Sequence, residues 1–235
     1  VLPVPCYGDY ARASRAAGLA VATLPLMAEN GFALDWEALD KLLVEPALAI
    51  LGQPGNPAGM LFDPGRLLQC TARHPRCIFL VDEAFADFVV GLRRLGGIIR
   101  PNLFVLHSLT KFYAVAGLRL GLGYGPADIC AEIAALLPDW SVNAPALAVG
   151  LAALDDDDYA RRTLAVLPEL REELRSALVG LGITVFHGQA NYLLCRITRM
   201  TAAALQQRLL PQRMLIRDCV NYDGLDAHYF RVAVR

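Results

Sequence analysis

The sequence predicts an α/β fold with a mainly parallel sheet, followed by a small α+β domain. Three observations predict it. Short, continuous apolar runs recur, as expected of strands buried on both faces. Segments with apolar residues at helical spacing alternate with them. Polar residues stand just past the ends of those runs, at Asn56, Asp82, Ser108 and Lys111.

Val1 to Cys6 reads as the end of a strand running into a loop. Ala11 to Gly18 reads as a short helix closed by its glycine. Ala20 to Leu26 reads as a strand, and Trp36 to Leu43 as a helix opened by Asp35. Ala47 to Leu51 is a continuous apolar strand that ends in the turn-rich stretch Gln53-Pro-Gly-Asn-Pro-Ala-Gly59. Asp63 opens a helix running to about Arg73. Cys77 to Val81 is a buried strand followed at once by Asp82-Glu83; Leu103 to His107 is another, followed by Ser108-Leu-Thr-Lys111. Arg119 to Tyr124 is a fourth, ending in Gly125-Pro126.

Past Asn143 the character changes. Ala144 to Leu154 is helical, and the acidic run Asp155 to Asp158 reads as a solvated helix start. Tyr159 to Leu181 is a long amphipathic helix interrupted only by Pro168. Strand, helix and strand then alternate over Thr184 to Phe186, Tyr192 to Arg196, Ala202 to Leu210, Leu215 to Arg217 and Tyr229 to Val234. Residues 1–150 are expected to form a large domain and residues 151–235 a small one.

Bulk composition narrows the function. The 235 residues carry a net charge of -1 and are 55% hydrophobic. A core can form, and no basic excess points to nucleic acid or an anionic membrane surface. No apolar stretch reaches the ~18 residues of a membrane span. Residues 1–10 do not read as a secretory signal, since Pro3, Pro5 and Asp9 interrupt a run with no basic start. The six cysteines form no CxxC pair, so they read as thiols of a reducing, cytoplasmic compartment rather than as a disulfide frame or zinc site.

Lysine usage is sharper. Of 22 basic residues only Lys41 and Lys111 are lysine. Lys41 lies in an amphipathic helical pattern and reads as a surface charge. Lys111 sits among small and apolar residues. Arginine stays protonated and cannot form a Schiff base, whereas a lysine of lowered pKa can.

The other strand-end residues have matching chemistry. In open α/β sheets ligands bind beyond the carboxyl ends of the strands, so Asn56, Asp82, Ser108 and Lys111 can converge. A carboxylate such as Asp82 can keep a ring nitrogen protonated; the plain alternative is a turn residue. Arg119 can grip a phosphate with two hydrogen bonds and Ser108 can add a third; their alternatives are a surface ion pair and a turn. Gly121, Gly123 and Gly125 make a weak dinucleotide loop, and backbone packed near a ligand is the better expectation.

In their order, Asn56-Pro-Ala-Gly59, Asp82-Glu-Ala-Phe85, Ser108-Leu-Thr-Lys111 and Gly117-Leu-Arg119-Leu-Gly121 resemble the motifs of fold-type I pyridoxal-phosphate enzymes, the aspartate aminotransferase superfamily. The resemblance covers most of the chain. It implies pyridoxal 5′-phosphate as cofactor, held on a seven-stranded-type sheet of the large domain, with residues 1–150 binding it. It implies Lys111 as the Schiff-base lysine and Asp82 as partner of the pyridine nitrogen. It places Asn56 on the ring oxygen, Tyr7 against the ring, and Ser108 and Arg119 on the phosphate. Lys111 and Asp82 form the implied catalytic pair, and Asn56, Arg217 and Arg231 the implied substrate-binding set. Further sequence is expected ahead of Val1 and a last helix after Arg235, together with a homodimer whose partner subunit completes the pocket.

Two branches of the superfamily share these motifs, the histidinol-phosphate aminotransferases and the threonine-phosphate decarboxylases of cobalamin biosynthesis. Asp82-Glu-Ala-Phe-Ala-Asp-Phe88, Trp140-Ser-Val-Asn143, Ala190-Asn-Tyr-Leu-Leu194 and the stretch Ile216 to Asp226 are more similar to the decarboxylases. Aminotransferases usually carry tyrosine where Phe85 stands, so Asn56 would serve the ring oxygen alone. The implied substrate is a small phospho-amino acid.

Overall fold

The computed structural model describes residues 1–44 and 46–235. Its centre is a four-stranded sheet of β3 (Leu48–Gly52), β4 (Ile78–Asp82), β5 (Leu103–Ser108) and β6 (Gly121–Tyr124), in that spatial order. The first three strands are parallel and β6 is antiparallel to β5. A parallel pair, β1 (Leu2–Val4) and β2 (Thr23–Pro25), lies beside β3, to which Val1 is joined by hydrogen bonds with Ile50 and Leu48.

The helices around this sheet start where the sequence provides caps. Helix α1 spans Asp9–Ala16, and the chain leaves it through Gly18 at φ +77°. Helix α2 spans Trp36–Leu42, with Asp35 accepting from the N–H groups of Glu37 and Ala38. Helix α3 spans Pro64–Arg73, with Asp63 accepting from Gly65. Both bury an apolar face against the strands: Leu39 and Leu67 pack with Phe79, Val81, Leu103 and Val105. Between α2 and α3, Asp40 accepts from Arg73, the Cys70 thiol and His74. Burial works against its ionisation, but those hydrogen bonds hold its carboxyl below the ordinary value.

Past β5 comes a one-turn helix, α4 (Leu109–Phe112), and past β6 an unanticipated helix, α5 (Ala127–Leu136). The sequence does not announce helix α5, because its apolar residues show little helical periodicity and its N-cap position is a proline, Pro126. Helices α6 (Ala144–Leu154) and α7 (Asp157–Gly180) come next, capped by Asn143 and Asp156. Pro168 removes one backbone donor without ending α7, which runs through it.

A second, antiparallel sheet closes the chain. It comprises β7 (Thr184–Val185), β8 (Tyr192–Arg196), β10 (Tyr229–Ala233) and β9 (Arg217–Asp218) in spatial order, with helix α8 (Ala202–Leu209) between β8 and β9. Leu193, Cys195 and Phe230 of this sheet pack with Leu167 of α7. Four of the six cysteines are buried.

Glycine permits two close approaches in the fold. A Cβ on Gly123 or Gly125 would come within 2.7 or 2.5 Å of the Phe104 ring. These glycines therefore let an aromatic from β5 lie across β6, which corrects the expectation that they pack beside a ligand. The second approach is backbone against backbone. A Cβ on Gly188 would lie 2.8 Å from the Ala58 carbonyl oxygen, and Gln189 donates to Gly59 O at 2.7 Å. This contact joins the turn after β3 to the loop before β8. Gly188→Ala is expected to destabilise the fold by about 1–3 kcal/mol, because two main chains must separate. A thermal melt checks this; an unchanged midpoint would show that the loops have room.

Candidate active site

The site starts at the carboxyl end of the first sheet. Register brings Gly52 and Asp82, at the ends of β3 and β4, abreast of Leu106, two residues before the end of β5. From β3 the chain enters the turn that carries Asn56. Gln53 pins that turn: its N–H donates to Asp82 O, and its buried amide exchanges two hydrogen bonds with the Phe62 backbone. A glutamine between glycine and proline gave no sign of this in the sequence.

Asp82 is held by both oxygens. Oδ1 accepts from Ala84 N–H at 2.9 Å, and Oδ2 accepts from the Tyr10 hydroxyl at 2.6 Å. The turn and the site readings of Asp82 are thus compatible. Burial, and then the adjacent Asp82 charge, push the Tyr10 phenol well above its ordinary value, so it remains a donor. Tyr10, in the first turn of α1, was missed in the sequence, although it comes three residues after Tyr7.

Lys111 leaves the single turn of α4 directly after β5. Its Nζ donates to Thr110 Oγ1 at 3.1 Å and lies 5.9 Å from the centre of the Phe85 ring. Among the described residues it pairs with no carboxylate. The residue is exposed although its neighbours are apolar, because those neighbours bury their own side chains and leave the amine on an open cavity. Partial desolvation lowers its pKa from the ordinary 10.5; Asp82 opposes this and Arg119 adds to it.

Beside this group stand residues of the second sheet. Arg231 on β10 and Arg217 on β9 are directly opposite each other. Like charges so placed repel, and neither guanidinium has a carboxylate partner among the described residues. Arg231 donates to Asn56 Oδ1 at 2.5 Å and lies 4.7 Å above the Tyr192 ring. Arg217 donates to Asn221 Oδ1 at 2.9 Å.

One cavity of about 290 Å³ collects Tyr7, Asn56, Asp82, Lys111, Arg217 and Arg231 of the expected residues, with Tyr10, Phe85 and Tyr222 also on its wall. Ser108 and Arg119 do not line it. Ser108 is linked to Lys111 through Thr110, at 2.7 Å from that hydroxyl. Arg119 is exposed, sits at φ +56° and donates to Ala116 O, turned along its own loop. Tyr7 is 44% exposed and donates to Asp9 at 2.8 Å.

Against known proteins, the model of aminotransferase class I and II matches residues 1–234. The chain belongs to that family. A threonine-phosphate decarboxylase of Salmonella typhimurium is 38% identical over 100% of this chain and 66% of its own length. The chain therefore spans about two thirds of that relative. Among solved structures, the histidinol-phosphate aminotransferase of Clostridium acetobutylicum is similar at a TM-score of 0.94 and 28% identity, over 99% of this chain and 72% of that one. The L-threonine-O-3-phosphate decarboxylase of Porphyromonas gingivalis is similar at 0.86 and 26% identity, over 100% and 71%.

The aminotransferase class I and II family carries the cofactor expected from the motifs, pyridoxal 5′-phosphate. The donor set fits it. An amine without a counter-ion, a carboxylate held at both oxygens and an amide whose N–H₂ has no protein partner among the described residues face one cavity.

The lowered pKa of the amine makes its reaction with an aldehyde depend on pH. Only the neutral form attacks a carbonyl, and desolvation with Arg119 disfavours the ammonium, so neutral amine accumulates at lower pH than for an ordinary lysine. The rate at which full-length apo-protein captures pyridoxal, the aldehyde lacking its phosphate, is expected to rise with a midpoint below 10.5. Arg119→Gln should move that midpoint upward. Rapid-mixing absorbance across pH measures both; a wild-type midpoint at or above 10.5 would refute the argument.

Proposed function

We propose that this chain is the core of an enzyme that decarboxylates L-threonine O-3-phosphate to (R)-1-aminopropan-2-yl phosphate and carbon dioxide, a step of cobalamin biosynthesis. The observation that carries it is the opposed pair Arg217 and Arg231. Two cations with no carboxylate partner among the described residues, lining the same cavity as Lys111, suit a substrate bearing both a carboxylate and a phosphate. The identity to the Salmonella decarboxylase, and Phe85 where aminotransferases usually have tyrosine, favour it over the histidinol-phosphate aminotransferase alternative.

When bound, pyridoxal phosphate supplies an electron-accepting ring conjugated to the substrate amine. Lys111 would hold the group covalently at rest and, once displaced by the substrate amine, stand free to deliver a proton to Cα. Asp82 would keep the proton on the ring nitrogen, and its bonds from Tyr10 and Ala84 fix the carboxylate in place. Asn56 would donate to the ring oxygen, Tyr7 would cover the ring face, and Ser108 and Arg119 would bind the cofactor phosphate, Arg119 after turning inward. Arg217 and Arg231 would orient the substrate so that the bond to its carboxylate, rather than the Cα–H bond, stands across the ring.

In the same reading residues 1–150 form the cofactor-binding large domain and 151–235 the small domain, and the protein works in the cytoplasm as a homodimer. No described helix is long and apolar enough to cross a membrane. The test is an assay of full-length protein with pyridoxal phosphate and threonine phosphate. Stoichiometric carbon dioxide with the cofactor retained as aldehyde is expected. Conversion to the pyridoxamine form without carbon dioxide would select the aminotransferase instead.

A further inference from the structure

We infer that Tyr222 is a positioning residue which keeps the Asn56 side chain tethered in place once a substrate anion draws Arg231 away. The inference rests on the reading that Arg231 binds substrate and Asn56 faces the cofactor ring.

The geometry begins at one atom. Asn56 Oδ1 accepts from Arg231 at 2.5 Å and from the Tyr222 hydroxyl at 3.2 Å. An amide oxygen has two lone pairs, so both are used. These donors decide which way the amide faces: oxygen toward the second sheet, N–H₂ toward the cavity. The N–H₂ has no partner within the described chain.

The two tethers differ in permanence. Arg231 has no carboxylate partner among the described residues, and its charge-assisted bonds to a carboxylate or phosphate are roughly twice as strong as a bond between neutral groups. A substrate anion would therefore compete for it. Tyr222 has no such competing attraction. Its ring is 7% exposed and packs with Phe32, Ala58, Leu194, Cys219 and Tyr229. Arg217 lies 5.8 Å over its face. The hydroxyl is thus presented to Asn56 from a rigid base, across 166 residues of sequence. Without it, engagement of Arg231 by substrate would leave the Asn56 side chain with no tether, so that its N–H₂ would no longer be held at the ring oxygen.

Tyr222→Phe in full-length holoenzyme tests this, since it removes one hydroxyl and keeps the packed ring. A thermal melt is recorded first and should be within a few degrees of wild type. The readout is the pH titration of the cofactor's visible band, alone and with saturating 3-phosphonooxybutanoate, the substrate's skeleton without its amine. In the free enzyme Arg231 still holds the amide, and the midpoint should move little. With the analogue bound, the ring oxygen loses a donor, and the midpoint should rise by about one pH unit, a tenfold change. With threonine phosphate, kcat should fall about tenfold at nearly constant KM, since the missing bond acts after binding.

Equal shifts in both states, or none with the analogue, would overturn the inference while leaving the proposed reaction standing. A wild-type enzyme that does not bind the analogue would overturn both. A large loss of thermal stability, with titrations unmoved in both states, would make Tyr222 a packing residue only and would also overturn the inference.

Discussion

Lys111→Ala is expected to abolish the visible absorbance of enzyme-bound cofactor and to lower turnover by about three orders of magnitude or more. On the proposed reading two functions are lost together: the covalent anchor for the aldehyde, and the group that delivers a proton to the substrate's Cα. The protein should otherwise be intact. Lys111 is exposed and makes a single hydrogen bond, to Thr110, so its truncation should change stability by no more than about 0.5 kcal/mol. Spectra and a thermal melt on the same sample separate the two effects. A retained yellow band in the alanine variant would count against the whole assignment, because Lys41, the other lysine, is carried by α2 away from the cavity.

Asp82→Asn should have the second largest effect. The amide keeps the shape of the carboxylate and can still accept from Ala84, so the turn is preserved. What would disappear, on the proposed reading, is the charge that compensates a protonated ring nitrogen. At an effective dielectric of about 20, a contact pair near 4 Å is worth roughly 4 kcal/mol, which corresponds to about a thousandfold in rate. Cofactor content should fall much less than turnover. Equal losses of both would mean that Asp82 serves binding and not electron withdrawal. Tyr10 sharpens the comparison: its hydroxyl donates to Asp82, so Tyr10→Phe should disturb the same property more weakly.

The elements that position the site were largely legible in the sequence. The strands at 48–52, 78–82 and 103–108 are those expected from continuous apolar runs, and Asp35, Asp63 and Asn143 cap the helices expected after them. The motifs that end those strands placed Asp82, Asn56 and Lys111 correctly at one edge. What was not legible has physical causes. Tyr10 and Tyr222 act through a terminal hydroxyl at the end of a buried ring, and nothing in local spacing distinguishes them from core aromatics. Gln53 closes its turn through backbone atoms nine residues away. Strands β2 and β9 are shorter than expected, at three and two residues, because their length depends on pairing with β1 and β10 and not on apolar content. Arg119 is the residue whose motif and geometry agree least, since its guanidinium lies along its own loop.

The close approach of Gly188 to Ala58 bears on any survey of mutational tolerance. In a saturation library scored by growth, position 188 should be depleted of almost every side chain regardless of polarity, as severely as position 111. The two blanks would have different origins. At 188 the obstacle is a carbonyl oxygen 2.8 Å from where a Cβ must go, so intolerance would scale with the first carbon and ease at lower growth temperature. At 111 it would depend on the amine and ignore temperature. A heat map alone would present both as equally indispensable, and a second map made in the cold would separate a site of collision from a site of chemistry.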